Sequence, residues 1–200
     1  MPSTRTSPSI PEAESGAAAP PLLLHCCCGP CATACLERLA AQGRRCALFF
    51  SNSNLDSQEE FRRRLEALET VAAHFGIQEV LVDPYRNDLW TRFVGQQCPA
   101  YATQPEGGER CRQCFRWSLS RTAAAAAARR GWQFATSLTV SPHKNSRLLL
   151  SLGSAFPHFQ PYDFKKKDGF LRSTILSRQL NLYRQNYCGC SFSRPTPESP

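Results

Sequence analysis

Long apolar runs are absent from this sequence. The leucines at 22–24 are followed by His25, and three residues fall far short of the roughly 20 that a membrane-spanning helix needs. Residues 1–20 also lack the basic start and long apolar stretch of a secretory signal peptide. We therefore expect a cytoplasmic protein with no membrane partner. In a reducing cytoplasm, clustered cysteines bind metals or act in catalysis more often than they form disulfides.

Acidic residues are few relative to basic ones. The chain has 16 Asp and Glu against 24 Lys and Arg, which is a formal net charge of +8 over 200 residues. Such an excess suits an anionic partner such as nucleic acid, although an ordinary basic enzyme has the same balance. Hydrophobic residues make up 42% of the chain, which is enough for one domain with a real core.

Strand-like and helix-like segments alternate between two polar ends. Residues 1–20 and 194–200 show no apolar periodicity, and we predict that both are disordered tails. Short apolar runs predict strands at residues 22–28, 46–51, 79–82 and 134–140. Helical patterns predict helices at residues 31–41, 58–75, 87–94, 110–130, 144–152 and 171–180. In the second of these, i,i+4 spacing predicts ion pairs on the outer surface, Glu59–Arg63 and Glu60–Arg64. The alternation predicts a single α/β domain over residues 21–193, with a mainly parallel sheet and helices on both faces.

Cysteine is unusually abundant, with eleven in the chain. Cys26, Cys27 and Cys28 end the first predicted strand, and Cys31 opens a helix after a Gly-Pro turn. Ligands bind at the carboxyl ends of strands in open α/β sheets. A helix N-terminus also favours thiolate over thiol. We therefore expect this stretch to form the centre of the functional site.

Two further cysteine pairs have spacings that bring sulfur atoms together. Cys111 and Cys114 are three residues apart in a predicted helix and share one of its faces. Cys188 and Cys190 are two residues apart, which places them on one face of an extended segment. The three cysteines without a neighbour are interpreted as small buried hydrophobic residues: Cys35, Cys46 and Cys98.

The grouped thiols outnumber the four that one structural zinc requires. An iron–sulfur cluster takes three or four thiolates, which would leave cysteines for a second metal or for redox work. Spacing alone leaves three alternatives open: an iron–sulfur site, a zinc site and thiol redox chemistry.

A basic segment precedes the last cysteine pair. Lys165, Lys166 and Lys167 are followed by Arg184, with aromatic residues interleaved. Basic and aromatic side chains together suit unstacked RNA bases and their phosphates. A solvated lysine face would have the same composition.

Three side chains are candidates for proton transfer: Asp163, His25 and His143. A lone histidine is more often a hydrogen-bonded structural residue than a catalytic one. His25 is better placed than most because it adjoins the thiols.

Five blocks of this sequence, in order, resemble a known family. They are Leu-Leu-His-x-Cys-Cys-x-Pro-Cys at 23–31, Glu-Gly-Gly-Glu-Arg-Cys-x-x-Cys-Phe at 106–115, Ser-Leu-Thr-Val-Ser-Pro-His-Lys at 137–144, Asp-Phe-Lys-Lys-Lys-Asp-Gly at 163–169 and Tyr-Arg-Gln-Asn-Tyr-Cys-Gly-Cys at 183–190. Together they resemble the cobalamin-independent epoxyqueuosine reductases, QueH, over residues 21–193.

The resemblance implies a Rossmann-like fold related to the adenine-nucleotide-hydrolase-like enzymes. It implies that residues 21–193 form a catalytic domain that reduces epoxyqueuosine to queuosine at the wobble position of tRNA, the last step of queuosine biosynthesis. It further implies a [4Fe–4S] cluster beside a second iron ion, and electrons from a donor protein. The matching metal-site thiols are Cys27, Cys28, Cys31, Cys111, Cys114, Cys188 and Cys190. Cys26 departs from the family pattern, where a small residue is usual, so we do not expect it to be a ligand.

The resemblance also assigns the RNA partner to the basic segment, with Lys165, Lys166, Lys167 and Arg184 holding the tRNA. Two other classes of protein remain as alternatives. One is a zinc-containing protein that binds RNA. The other is a tRNA-thiolating enzyme on a related fold. Such an enzyme would need a Gly-rich ATP-binding loop after the first strand, whereas this chain is rich in cysteine there.

Overall fold

A computed structural model describes residues 19–194. Most of the two predicted tails, residues 1–18 and 195–200, therefore lies outside the described residues. Four strands are present: β1 (Leu22–Cys26), β2 (Cys46–Phe50), β3 (Val80–Val82) and β4 (Gln133–Thr136). Six α-helices are interspersed: α1 (Gly29–Ala40), α2 (Gln58–His74), α3 (Asn87–Gln97), α4 (Glu109–Ala127), α5 (Ser146–Gly153) and α6 (Gly169–Gln179). Short 3₁₀ turns occupy Tyr101–Thr103, Ser137–Val140 and Ser191–Ser193.

The strands form one parallel sheet in the order β3-β2-β1-β4. Every residue of β1 is buried, because a central strand of a parallel sheet is covered on both faces. This explains why its sequence is an unbroken apolar run rather than an alternating one. The prediction of a Rossmann-like α/β domain with a mainly parallel sheet is confirmed. No helix within residues 19–194 combines the length and the apolar character that crossing a bilayer requires.

Two apolar layers hold the helices against the sheet. Leu22, Leu24 and Cys26 of β1 point to one face and pack with apolar residues of α1 and α2, while α6 lies against α1. Leu23 points to the other face and packs with Leu119 of α4. Helices α3 and α5 flank α4 on that side. The alternation along β1 therefore sends successive side chains into different layers.

Strand β4 is shorter than predicted. It ends at Thr136, and the next four residues form a 3₁₀ turn instead of continuing to Val140. The cause is the Thr136 hydroxyl, which accepts a hydrogen bond from the Leu138 N–H at 3.1 Å. A threonine that caps a turn in this way offers the backbone an alternative to the sheet ladder.

The predicted outer-surface ion pairs of α2 are wrong in their placement. The side chains of Arg64 and Glu60 are 2% and 6% exposed and form a buried pair, with Nε donating to Oε1 at 2.7 Å. Glu59 pairs with Arg62 on the exposed side instead. The physical reason is that residues 183–189 cover this face of α2, a tertiary contact that helical periodicity does not encode.

Gly169 is the first residue of α6 and lies in the turn that leads into it. We expect its replacement by alanine to destabilise the protein. A Cβ at this position would lie 1.8 Å from the Phe164 carbonyl oxygen. Because that oxygen belongs to the backbone, the loop would have to move, which costs about 1–3 kcal/mol in overpacked sites. The matched control is Gly95→Ala in α3, where the nearest atom, Cε1 of Tyr101, is 3.5 Å away. Helix propensity should stabilise that variant by up to about 1 kcal/mol. Urea unfolding of both variants checks the prediction, and equal stabilities would contradict it.

Candidate metal centre

A cavity of about 450 Å³ opens at the carboxyl edge of the sheet. We call it the main cavity. Its walls come from the segment after β1, the segment after β2, the turn after β4 and the chain around residue 185. Its lining includes His25, Cys27, Cys28, Cys31, Arg64, Cys114, His143, Lys144, Phe170, Arg184, Gln185 and Cys188. This is the edge at which open α/β sheets bind their ligands.

Three thiols converge at the floor of this cavity. Cys27 and Cys28 leave the end of β1, and Cys28 is the N-cap of α1, with an extended backbone. Cys31 lies in the first turn of that helix, after Pro30. Their sulfur atoms all lie within 4.8 Å of one another. Thiolates at this separation are the ligands of zinc and of iron–sulfur clusters, so the group could hold a metal.

The three thiols differ in acidity. Hydrogen bonds from Cys27 and Cys31 hold the pKa of Cys28 well below its usual range, and the Gln185 side chain lowers it further. Donating these hydrogen bonds, together with burial, raises the pKa values of Cys27 and Cys31. Of the three thiols at the start of α1, Cys28 is therefore the one that loses its proton most readily. A single thiolate backed by two thiols is a ready first ligand, since metal binding then displaces the remaining protons.

The other four expected ligands surround a smaller cavity of about 50 Å³, which we call the side cavity. Its lining includes Cys111 and Cys114 from the first turns of α4, and Cys188 and Cys190 from the chain after α6. The pKa of Cys114 is raised, chiefly by burial and then by Cys188 and Cys190. Two of the four thiols, Cys114 and Cys188, line both cavities. The fold therefore brings all seven expected thiols to one edge of the sheet.

The remaining cysteines lie elsewhere. Cys26 is fully buried in the apolar layer between the sheet and α1, and its thiol donates to the Leu24 carbonyl. Cys35 and Cys98 are buried, while Cys46 is half-buried at the opposite edge of the sheet. None of the four lines the main or the side cavity.

His25 has both ring nitrogens engaged. Nδ1 lies 2.9 Å from the Thr136 hydroxyl and Nε2 lies 3.2 Å from the Ser51 carbonyl oxygen. The carbonyl can only accept, so Nε2 carries the proton and Nδ1 accepts from Thr136. Burial lowers the pKa of His25 to about 4. A neutral imidazole that ties three strand ends together is a structural residue, and this geometry does not favour His25 as the proton donor.

The buried His25 gives the protein an acid-sensitive stability. Its pKa is about 6.5 in the unfolded chain and about 4 in the folded one, so the unfolded state binds more protons between these values. Stability is then present above pH 6.5 and is lost as the pH falls. Between about pH 7 and about pH 5 this group should remove about 2 kcal/mol. Urea unfolding at the two pH values measures the loss, and His25→Gln should reduce it. An unchanged pH dependence in the variant would contradict the assignment.

The two other proton-transfer candidates differ in position. His143 is exposed and lines both cavities. Asp163 lines neither cavity; its Oδ1 accepts from the Lys165 backbone N–H at 3.2 Å, and its carbonyl accepts from Arg38 at 2.9 Å. Of the three, only His143 has an accessible side chain facing the thiols.

Lys144 is a charged residue of the site that the sequence analysis did not single out. It lines both cavities, between the two sets of thiols. Burial lowers the pKa of its ammonium group, but the neighbouring sulfurs of Cys188 and Cys27 outweigh burial, so the pKa is raised overall. A charged ammonium at this place offsets negative charge on the cysteine sulfurs. The available signal was its place next to the candidate His143 in the 137–144 block.

The basic segment divides into two parts. Lys165 is half-buried, and its Nζ donates to the Lys144 carbonyl at 2.8 Å, which ties this segment to the site. Lys166 and Lys167 are exposed to solvent. Arg184 is also exposed; its guanidinium lies 5.5 Å from the centre of the Phe170 ring at the mouth of the main cavity. The contact made by Lys165 favours a loop-holding role for it over direct phosphate binding.

Comparison with known proteins identifies the family. A model of the family described as "Epoxyqueuosine reductase QueH" matches residues 22–196. The protein of that name from Streptococcus pyogenes serotype M1 is 34% identical over 185 residues, covering 87% of this chain and 70% of the relative. Those from Staphylococcus aureus (34% identical; 92% and 80% covered) and Thermotoga maritima (32% identical; 86% and 89% covered) are similar over comparable lengths. With the family match spanning nearly all described residues, this chain belongs to the QueH family of epoxyqueuosine reductases.

Proposed function

We propose that this protein removes the epoxide oxygen of epoxyqueuosine at the wobble position of tRNA and leaves the alkene of queuosine. Family membership supports the reaction. The single observation that carries the proposal is the convergence of Cys27, Cys28 and Cys31 within 4.8 Å at the floor of the main cavity. The reaction takes two electrons and two protons and releases one water molecule, so it needs a redox centre of the kind that clustered thiolates hold.

The donor set fits the proposed cofactors. We propose that the seven thiols around the two cavities hold a [4Fe–4S] cluster and a second iron ion. Three converging sulfurs in the main cavity suit a cluster or a single metal ion, whereas the four thiols that line the side cavity do not approach one another as closely within the described residues. When bound, such a centre would pass single electrons and supply a Lewis acid for the epoxide oxygen. The electrons would come from a donor protein.

The chain's own residues would bind the substrate and donate protons to it. A volume of about 450 Å³ is in the range of pockets that enclose a small molecule, and would admit one modified base turned out of the anticodon loop. We propose that His143 gives the proton to the oxygen that leaves, because it alone of the three candidates is exposed beside the thiols. Lys144 has a raised pKa, which makes it a poor acid at neutral pH and a good counter-charge.

We propose that the tRNA lies across the mouth of the main cavity. Lys166 and Lys167 offer two ammonium groups to phosphates. Phe170, which is 37% exposed, offers a ring on which a neighbouring base can stack, with Arg184 behind it. Stacking of bases on aromatic rings next to cationic side chains is the common mode of single-stranded RNA binding.

Replacing Lys166 and Lys167 together with alanine should weaken tRNA binding and make it less dependent on salt. Each lost phosphate contact removes about 0.7 from the slope of log affinity against log salt, so the slope should fall by about 1.4. The matched control is Arg45→Ala with Arg130→Ala, because these exposed residues precede β2 and β4 at the opposite edge of the sheet. Filter binding over a salt series measures both. Equal slopes in the two variants would show that the lysines form only a solvated face.

One observation favours a second candidate, the zinc-containing RNA-binding protein. Four thiols around the side cavity match the ligand number of a structural zinc site. The thiolating alternative has no such support, because the loop between β1 and α1 is cysteine-rich rather than glycine-rich.

The proposed function is tested with protein purified without air. It should be brown and contain acid-labile sulfide, with more than about four irons per chain if a second iron accompanies a [4Fe–4S] cluster. Given a chemical reductant and tRNA that carries epoxyqueuosine, it should yield a nucleoside with one oxygen atom fewer by mass spectrometry. Colourless protein with stoichiometric zinc, no sulfide and no change in the nucleoside would overturn the proposal in favour of the zinc protein.

A further inference from the structure

Arg64 is a cation buried beside the thiols. It rises from α2 into the wall of the main cavity, although its side chain is only 2% exposed. Nε donates to Glu60 at 2.7 Å, and Nη1 donates to the Cys188 carbonyl at 2.9 Å. The second Glu60 oxygen accepts from the Tyr183 hydroxyl at 2.8 Å. The carboxylate is therefore satisfied on both sides, and Arg64 holds the loop of the last cysteine pair.

One nitrogen of this guanidinium has no partner. Nη2 of Arg64 is buried and donates no hydrogen bond within the described residues. Oε1 of Gln185, another residue of the main cavity wall, is likewise buried without a partner. A buried unpaired group costs about 1–3 kcal/mol, and more when it is charged. The unpaired N–H of Arg64 points to an acceptor that this wall is built to receive, whereas the Gln185 oxygen requires a donor.

The neighbours of Arg64 indicate what that ligand is. The guanidinium carbon lies 5.4 Å from the centre of the Tyr187 ring, which offers a π face but no strong acceptor. Both oxygens of Glu60 already accept hydrogen bonds. Arg64 and Cys28 line the same cavity, and a sulfur at Cys28 is an acceptor that Nη2 can serve.

Gly189 keeps the guanidinium in place. Its φ is +133°, and a Cβ there would lie 3.1 Å from both Nη1 and Nη2 of Arg64 and 2.4 Å from Leu55. A side chain at this position would displace the guanidinium. The glycine between Cys188 and Cys190 therefore leaves room for the Arg64 guanidinium and also allows the positive φ of the turn.

We propose that Arg64 is the hydrogen-bond donor that sets the reduction potential of the metal centre, with Nη2 donating to a sulfur of the centre at Cys28 while Nη1 holds Cys188. This inference rests on the metal centre of the proposed function. An added electron makes the sulfurs more negative, and a charge-assisted hydrogen bond stabilises that state. Arg64 thus makes the centre easier to reduce. Its guanidinium also links the three-thiol group to the segment that carries Cys188.

The test is a redox titration of the full chain, purified without air and followed by its visible spectrum. Two variants remove the guanidinium: Arg64→Lys, which keeps a shorter cation, and the charge-balanced pair Glu60→Gln with Arg64→Gln, which leaves no unpaired carboxylate at this place. Arg62→Gln is the control, because Arg62 lies on the exposed side of the same helix. Iron content and the thermal midpoint of unfolding are measured on each.

Both donor variants should keep their fold, and the control should match the parent. At a fixed poise, the ratio of reduced to oxidised centre should fall about tenfold in the double variant, which corresponds to a midpoint about 59 mV more negative for a one-electron couple. The midpoint potential of Arg64→Lys should lie between that of the double variant and that of the parent. Loss of iron with an unchanged thermal midpoint would also support the proposal, because it would show that Arg64 holds the centre.

Potential and iron content equal to those of the control would overturn the inference, as would loss of iron together with a collapse of the thermal midpoint, which would make Arg64 a purely structural pair. The titration uses no tRNA, so these results are separate from catalysis. A parent protein with zinc and no sulfide would instead refute the proposed function, and this inference with it.

Discussion

Replacement of Cys28 by alanine is expected to remove the metal of the main cavity and abolish turnover. Cys28 is the one thiol of its group with a lowered pKa, and it accepts hydrogen bonds from both neighbours. Its loss would remove the proposed first ligand and leave two thiols, fewer than the three or four that a cluster takes. The fall in turnover should exceed the roughly 10- to 100-fold cost of losing an outer-shell partner of a metal site. Iron and sulfide per chain, with a tRNA assay on the same sample, measure the effect.

The matched control is Cys46→Ala. Cys46 begins β2 at the opposite edge of the sheet, and its thiol donates only to the Arg44 carbonyl. We expect full iron content and full turnover from this variant. Iron loss from Cys46→Ala with an unchanged circular dichroism spectrum would show that the metal lies elsewhere. Normal iron in Cys28→Ala would contradict the assignment of the three-thiol group.

Replacement of His143 by glutamine should lower turnover by about 10²- to 10⁴-fold, the usual contribution of a general acid. Iron content should stay at the parent level, because His143 is exposed at the cavity wall and the seven thiols remain. The effect should appear in kcat rather than KM, since the proton is needed only as the oxygen leaves. Single-turnover kinetics with saturating tRNA provide the measurement.

Asp163→Asn serves as the comparison for this second prediction. Asparagine keeps the oxygen that accepts from the Lys165 backbone, and position 163 lies outside both cavities. Turnover should therefore change little. If Asp163→Asn loses turnover while His143→Gln retains it, the proton donor has been assigned to the wrong residue.

The sequence predicted those features that depend on local pattern. The unbroken apolar run at β1 and the periodicity of α2 have a direct physical cause in burial, so both elements were found within a few residues. The same holds for Cys111 and Cys114, whose spacing alone puts them on one face of α4. The seven thiols line the two cavities, and their role as metal ligands stays a prediction.

Most of the missed features depend on contacts between distant segments. Glu60 and Arg64 have the spacing of an exposed pair, and only residues 183–189 make them buried. Lys165 looks like a free cation until its ammonium meets the carbonyl of Lys144, 21 residues earlier. Local pattern carries no information on either of these partners. The early end of β4 is the exception, because the Thr136 hydroxyl bonds an N–H only two residues later.

The order of the thiols along the chain has a consequence for how the protein is made. Cys27, Cys28 and Cys31 emerge early in synthesis and come together within a single strand–helix unit, so the three-thiol site can form as soon as β1 has neighbours. Cys111 and Cys114 follow later, and Cys188 and Cys190 come after every strand and every α-helix of the described chain. Closing the side cavity joins segments about 80 residues apart, which loop-closure entropy makes a late event. Under the proposed function, the side cavity would receive its metal only when nearly the whole chain is made, whereas the three-thiol group on the floor of the main cavity would be available earlier.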